Sequence, residues 1–178
     1  MTDSPSDTAF LASFGASPGE VAASLRAALS DFEADLARTH DRWRAPVRDF
    51  APHPRYHGEW SPAQQAEHVL KANTGFSKII YLLNGDRELP AVPPENGPTR
   101  DGLRVSPPDF LPGEGEAWET LEPRWREVSA RLLAEVERIQ PASARTWWHP
   151  YLGDLGALDW ARVVVWHARD HRKQLGVS

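Results

Sequence analysis

Apolar residues recur at spacings of three and four in four separate stretches of the chain, and nowhere do they alternate convincingly with polar ones, so the pattern predicts helices and no strands. In the first stretch Val21, Leu25, Ala28, Leu29, Phe32, Leu36 and Trp43 form one face, with Pro46 as the stop. Its opening, Ser17-Pro18-Gly19-Glu20, supplies a Ser N-cap, a Pro at the first helical position and a Glu that completes a capping box. A short helical turn over Thr8 to Phe14 precedes it. The second stretch opens at WSPAQQ, where Ser61 and Gln64 form another capping box around Pro62, and runs to Leu83 before the stop Asn84-Gly85. Ala66, Val69, Leu70, Phe76, Ile80 and Leu83 make its buried face, with His68 at the edge of that face beside Ala72, Gly75 and Ile79. The third begins between Glu116 and Thr120 and accommodates Pro123 only in or near its first turn. It carries Leu121, Trp125, Val128, Leu132, Val136 and Ile139 to a stop at Gln140-Pro141. The fourth, from Ala157 to Leu175, follows a linker containing RTWWHPYLGDLG.

The connections set the topology. From Asn84 to about Gly115 the chain is rich in proline and glycine, as in VPPENGP and VSPPDFLPGEG, and is too long for a tight turn between antiparallel neighbours. A crossover of that length lets helices 2 and 3 run parallel. The expected fold is an all-α four-helix bundle, up-down-down-up, in which helices 2 and 4 are antiparallel. A chain of 178 residues is expected to form a single domain, 1–178.

The fourth helix carries the chemistry. Trp160, Val164, His167, Ala168, His171 and Leu175 fall on one stripe, so two imidazoles occupy positions where leucines are expected. Buried imidazoles need hydrogen-bond partners or a metal ion between them. The spacing His167-x3-His171 places both rings on one helical face, as helical metal sites do. His68 lies two turns into helix 2, and antiparallel packing brings it to the same end of the bundle. Two readings follow: a three-histidine metal site, or core histidines that donate to backbone or carboxylate groups.

Composition narrows the classes. There is no cysteine, which excludes disulfides, thiolate ligands and a cysteine nucleophile, so a metal must be held by nitrogen and oxygen. With 40% hydrophobic residues and no apolar run near the roughly 18 residues of a membrane span, neither a membrane segment nor a membrane partner is expected. The net charge of -5 gives no reason to expect nucleic acid, and the basic run RDHRK complements the C-terminal end of the helix dipole. MTDSPSDTAF lacks the basic start and apolar stretch of a signal peptide, so a cytoplasmic location is expected. No nucleophile triad, phosphate loop or ExxH pair of a di-iron bundle is present.

WSPAQQAEHVLKANTGF in helix 2 and HPYLGDLGALDWARVVVWHARDHRKQL toward the C-terminus resemble the DinB-like superfamily of four-helix-bundle metalloproteins, with one histidine in helix 2 and an HxxxH pair in helix 4. Asp170 stands where the family pattern often has a further histidine before the last ligand. The resemblance implies His68, His167 and His171 as ligands of a divalent ion such as Ni2+, Zn2+, Fe2+ or Mn2+. It further implies a metal-dependent hydrolase or thiol S-transferase acting on a small molecule, with a low-molecular-weight thiol as the candidate partner. The alternative is a non-enzymatic, stress-related metal-binding or interaction bundle.

His53, His57, Tyr56 and Trp60, in the connection between helices 1 and 2, stand at the metal end as mouth residues or as plain loop and packing positions. His149 enters helix 4 and is expected at the opposite end in a structural role. Glu67 and Asp170 adjoin ligands in sequence but point about 100° away, which argues against direct ligation and leaves Asp170 a supporting role. Trp147, Trp148 and Trp166 fall outside a single core stripe, and together with the family resemblance they predict a homodimer.

Overall fold

A computed structural model describes residues 8–47, 60–91, 93–100, 103–140 and 142–177. Four long helices carry it: α1 (Pro18–Ala37), α2 (Pro62–Asn84), α3 (Trp118–Glu137) and α4 (Ala157–Lys173). Their directions follow from the cross-helix contacts. Arg162 donates to the Gly15 carbonyl just before α1 and Arg172 pairs with Asp31 and Asp35 near its end, so α1 and α4 run parallel. Gln65 meets Gln174 while Phe76 meets Trp160, so α2 and α4 are antiparallel. Ser77 meets Arg131 and Asn84 meets Glu135, so α2 and α3 are parallel. The bundle is therefore up, down, down, up, with the long crossover between α2 and α3.

The core lies between the four helices. Leu25 and Phe32 of α1, Val69 and Ile80 of α2, Trp125 and Leu132 of α3, and Trp160 and Val164 of α4 are all buried. Phe32 stacks on Trp125 with centroids 5.5 Å apart and planes 13° off parallel, which ties the antiparallel pair α1 and α3. Ser61 and Gln64 form the full capping box expected at α2. At α1 the pattern is modified: Ser17 Oγ accepts from the Glu20 amide at 3.3 Å, but the Glu20 carboxylate accepts from Ala16, one residue earlier, at 2.7 Å.

Two expectations need correction, the end of α1 and the absence of strands. Helix α1 stops at Ala37 rather than near Pro46, because the amide and hydroxyl of Thr39 both turn back to the Leu36 carbonyl and a 3-10 turn, His40–Arg42, follows. Trp43 continues the apolar spacing only by position: its indole packs on Trp118 at 6.2 Å and donates to the Glu116 carbonyl. Helix α3 begins at Trp118, within the expected window, and Pro123 lies close to its first turn. Two small antiparallel hairpins also appear among the described residues, β1 (Thr99–Arg100) with β2 (Leu103–Arg104) in the crossover, and β3 (Thr146–His149) with β4 (Gly153–Gly156) before α4. In the second, His149 pairs with Gly153, whose φ of +78° takes the left-handed conformation that closes a three-residue hairpin loop. No described helix is long and apolar enough to cross a membrane.

Candidate metal centre

The antiparallel packing of α2 on α4 sets a ladder of side chains between them. His68 projects from α2 onto both His167 and His171, with ring centroids 5.1 and 4.5 Å away, and the two α4 rings lie 4.3 Å from each other. One ring nitrogen from each histidine lies within 4.8 Å of the others. Trp60, just before α2, closes one side by stacking on His171 at 6.3 Å with planes 11° apart.

The hydrogen bonds decide which nitrogens face inward. His68 Nδ1 lies 2.7 Å from the Phe110 carbonyl, which can only accept, so Nδ1 carries the hydrogen and Nε2 keeps its lone pair. His171 Nδ1 lies 2.7 Å from Gln65 Oε1, with the same consequence for its Nε2. His68 Nε2 and His167 Nε2 stand 3.1 Å apart. Two nitrogens on one Zn2+ at about 2.1 Å each stand about 3.0 to 3.4 Å apart for angles between octahedral and tetrahedral, so this separation fits a shared ion. Without an ion the pair is poorly satisfied. If His167 donates through Nε2 to His68, its own Nδ1 is a buried acceptor with no hydrogen-bond partner among the described residues; if Nδ1 carries the hydrogen, two lone pairs face each other.

Electrostatics favour the form that binds metal. Burial pushes the His68 pKa down to about 4, despite the opposing hydrogen bond to Phe110, and Lys71 adds to the lowering. Burial also holds His167 and His171 well below the ordinary histidine value, with their histidine neighbours adding to it. Three neutral imidazoles, two of them with an inward Nε2 lone pair, suit a divalent ion.

A cavity of about 810 Å3 opens beside these rings. Phe76, Ile79 and Trp160 form its helical floor, Pro107 and Phe110 of the crossover one wall, and Trp147, Trp148 and Tyr151 of the β3–β4 hairpin another. The two walls are fastened together. Trp148 Nε1 donates to the Glu95 carbonyl at 2.8 Å, the Tyr151 hydroxyl bonds to the Pro98 and Val105 carbonyls, and the Gly97 amide donates to the Pro150 carbonyl at 2.9 Å. A Cβ on Gly97 would lie 2.2 Å from the Tyr151 ring, so only glycine permits this approach.

The model of the DinB superfamily matches residues 49–175. The chain belongs to the DinB superfamily. No curated protein matches it. Among solved structures, TT2238, described as a four-helix bundle protein, is similar with a TM-score of 0.62 and 23% identity over 91% of this chain and 100% of that one, a likeness of fold.

In this DinB-superfamily chain the three expected histidines come together, and His149 requires correction. It is buried, lines the same cavity and packs on Trp160 with centroids 5.0 Å apart, rather than lying at the far end. Four residues of extended strand span about 13 Å, so β3 carries His149 from the entrance of α4 back along the helix toward the centre. Its Nδ1 accepts from the Tyr151 amide at 3.1 Å, and it stands outside the three-histidine cluster. Glu67 accepts from the Gly113 amide and faces Lys71, which pins the crossover to α2. Asp170 lines the cavity, and its backbone carbonyl accepts from Gln174 at 3.5 Å. Trp147, Trp148 and Trp166 are half-buried and line the cavity. His53, Tyr56 and His57 lie outside the described residues.

Sequence reasoning missed three contributors. Gln65 and Gln174 are buried polar residues placed three positions from His68 and His171, and polar residues so close to the ligands on core faces were the available signal. Phe110 acts through its carbonyl, which no residue type announces.

Proposed function

We propose that this protein binds a divalent metal ion through His68, His167 and His171 and acts as a metal-dependent enzyme on a small apolar molecule, as a thiol S-transferase or a hydrolase. The observation that supports it is the convergence of three histidines, two with Nε2 left bare by carbonyl acceptors, beside a cavity walled by aromatic rings. A divalent ion held there supplies Lewis acidity that lowers the pKa of a bound water or thiol.

The chain's own residues do the rest. Phe110 and Gln65 hold two imidazoles in the orientation that presents Nε2. Trp60 covers the outer face of His171 and limits water on that side. Trp147, Trp148, Trp160 and Phe76 offer ring faces and edges for an apolar reactant. The S-transfer reading is favoured over hydrolysis by this lining, which suits an apolar electrophile better than a hydrated one. The native metal is one of Ni2+, Zn2+, Fe2+ or Mn2+. A homodimer and a cytoplasmic location complete the proposal.

Metal analysis of the purified protein and a turnover assay with an aromatic electrophile, run with and without a low-molecular-weight thiol, test it. Stoichiometric metal together with thiol-dependent consumption of the electrophile is expected. Failure to take up any divalent ion would remove the metal centre, and stoichiometric metal without turnover of thiol adducts or esters would leave only a metal-binding bundle. Sedimentation at micromolar concentration tests the dimer.

A further inference from the structure

Buried beside the centre is a pair of glutamines that the proposed chemistry does not require as ligands. Gln65 is 1% exposed and Gln174 is 6% exposed, and burial of two primary amides is costly unless their polar ends are matched. Here they are matched in one direction only. The Asp170 carbonyl cannot donate, so the Gln174 amide nitrogen faces it at 3.5 Å and Oε1 is turned toward Gln65. Gln174 Oε1 accepts from Gln65 Nε2 at 3.2 Å, which turns Gln65 Oε1 toward His171. Gln65 Oε1 then lies 2.7 Å from His171 Nδ1, which must carry the hydrogen. The lone pair of His171 is thereby left on Nε2.

We propose that Gln65 and Gln174 form a polarity relay in which the Asp170 backbone carbonyl, through two amides, fixes His171 as the Nδ1–H tautomer and so makes both glutamines positioning residues for the centre. His68 has the same tautomer set directly by the Phe110 carbonyl. In each case the origin of the polarity is a backbone carbonyl, which cannot turn over as a side-chain amide can. A flipped Gln65 would offer its NH2 group to His171, demand a lone pair on Nδ1 and move the hydrogen to Nε2, where it blocks coordination.

The inference rests on the metal reading for its purpose but not for its test. The ring 15N shifts of metal-free full-length protein near pH 7.5 report the tautomer directly. A protonated Nδ1 and a bare Nε2 on His171 are expected, and the Nε2–H form in the wild-type protein would overturn the relay. Gln65→Met keeps the shape of the side chain but removes the acceptor. It should mix the tautomers and weaken Zn2+ binding about 10- to 100-fold in competition with a chromophoric chelator. Gln65→Glu, which accepts whichever way its neighbour lies, should retain the Nδ1–H form. The discriminating pair is Gln174→Met, which should mix the tautomers beside Gln65 and have no such effect beside Gln65→Glu. A packing role alone would make Gln65→Met harmless and Gln174→Met equally harmful in both backgrounds, and either result would refute the relay. If wild-type protein takes up no Zn2+, the metal reading fails and the 15N measurements alone decide the relay.

Discussion

Acid should destabilise the metal-free protein through its buried histidines, and His68 allows the size to be worked out. In the unfolded chain a histidine titrates near 6.5, whereas burial in the fold lowers His68 to about 4. Between those values the unfolded state binds a proton that the native state does not, so stability falls as pH drops below about 6.5 and the loss levels off below about 4. Between pH 7 and pH 5 the His68 contribution amounts to about 2 kcal/mol, from 1.36 kcal/mol per unit of pKa difference. His167 and His171 are shifted in the same direction and add to the fall. The assay is urea unfolding of chelator-treated protein at pH 7, 6 and 5, wild type beside His68→Gln. The variant lacks the titrating ring and should lose about 2 kcal/mol less than wild type over that interval. An equal loss in the two proteins would show that His68 carries no such penalty, as would happen if the 3.1 Å contact with His167 let the two rings share a proton comfortably.

Further tests address the centre, the cavity and the core separately. His171→Ala should abolish stoichiometric metal, while His149→Ala should retain it, since that ring lies outside the cluster, and should impair turnover; elemental analysis and kinetics of both variants distinguish the roles. Gly97→Ala places a Cβ 2.2 Å from the Tyr151 ring and should force the hairpin off the crossover, lowering affinity for a planar apolar fluorophore with metal content unchanged. Trp125→Ala removes a side chain that is 2% exposed and stacked on Phe32, and should cost about 3 to 5 kcal/mol in urea unfolding near neutral pH.

What could be read from the sequence was what local periodicity and caps encode. Ser61, Pro62 and Gln64 announce the start of α2, and the spacing of Leu121, Trp125, Val128 and Leu132 fixes the inner face of α3. The long connection after Asn84 gave the parallel pair, and the topology then brought His68 to His167 and His171. The hairpin before α4 stayed hidden because its strands are four residues long and Trp147 and Trp148 stand side by side, so no alternation betrays them. His149 is displaced from its expected position for the same reason: an unstructured linker entering a helix stays at the helix's beginning, whereas paired strands have the stiffness to run back along it. The end of α1 was hidden for a different reason. Thr39 ends the helix through a hydroxyl bond to Leu36 while Trp43 keeps the apolar spacing through tertiary packing on Trp118.

The histidines and the cavity floor belong to α2 and α4, whereas the cavity walls belong to two connections, and this bears on how such a protein can diverge. Exchanges of cavity-facing side chains in the β3–β4 hairpin or around Gly97 change what fits beside the centre while the three histidines keep their places on α2 and α4, so new reactants become reachable by loop variation. Several contacts cross the division, among them Glu67 with the Gly113 amide and Trp160 with the Trp147 carbonyl, and one of them reaches a histidine. Phe110 belongs to the crossover wall, yet its carbonyl sets the hydrogen on His68. A remodelled crossover must still bring a main-chain carbonyl to that point to hold His68, whatever the side chain becomes, so the constraint falls on backbone length and register before residue identity.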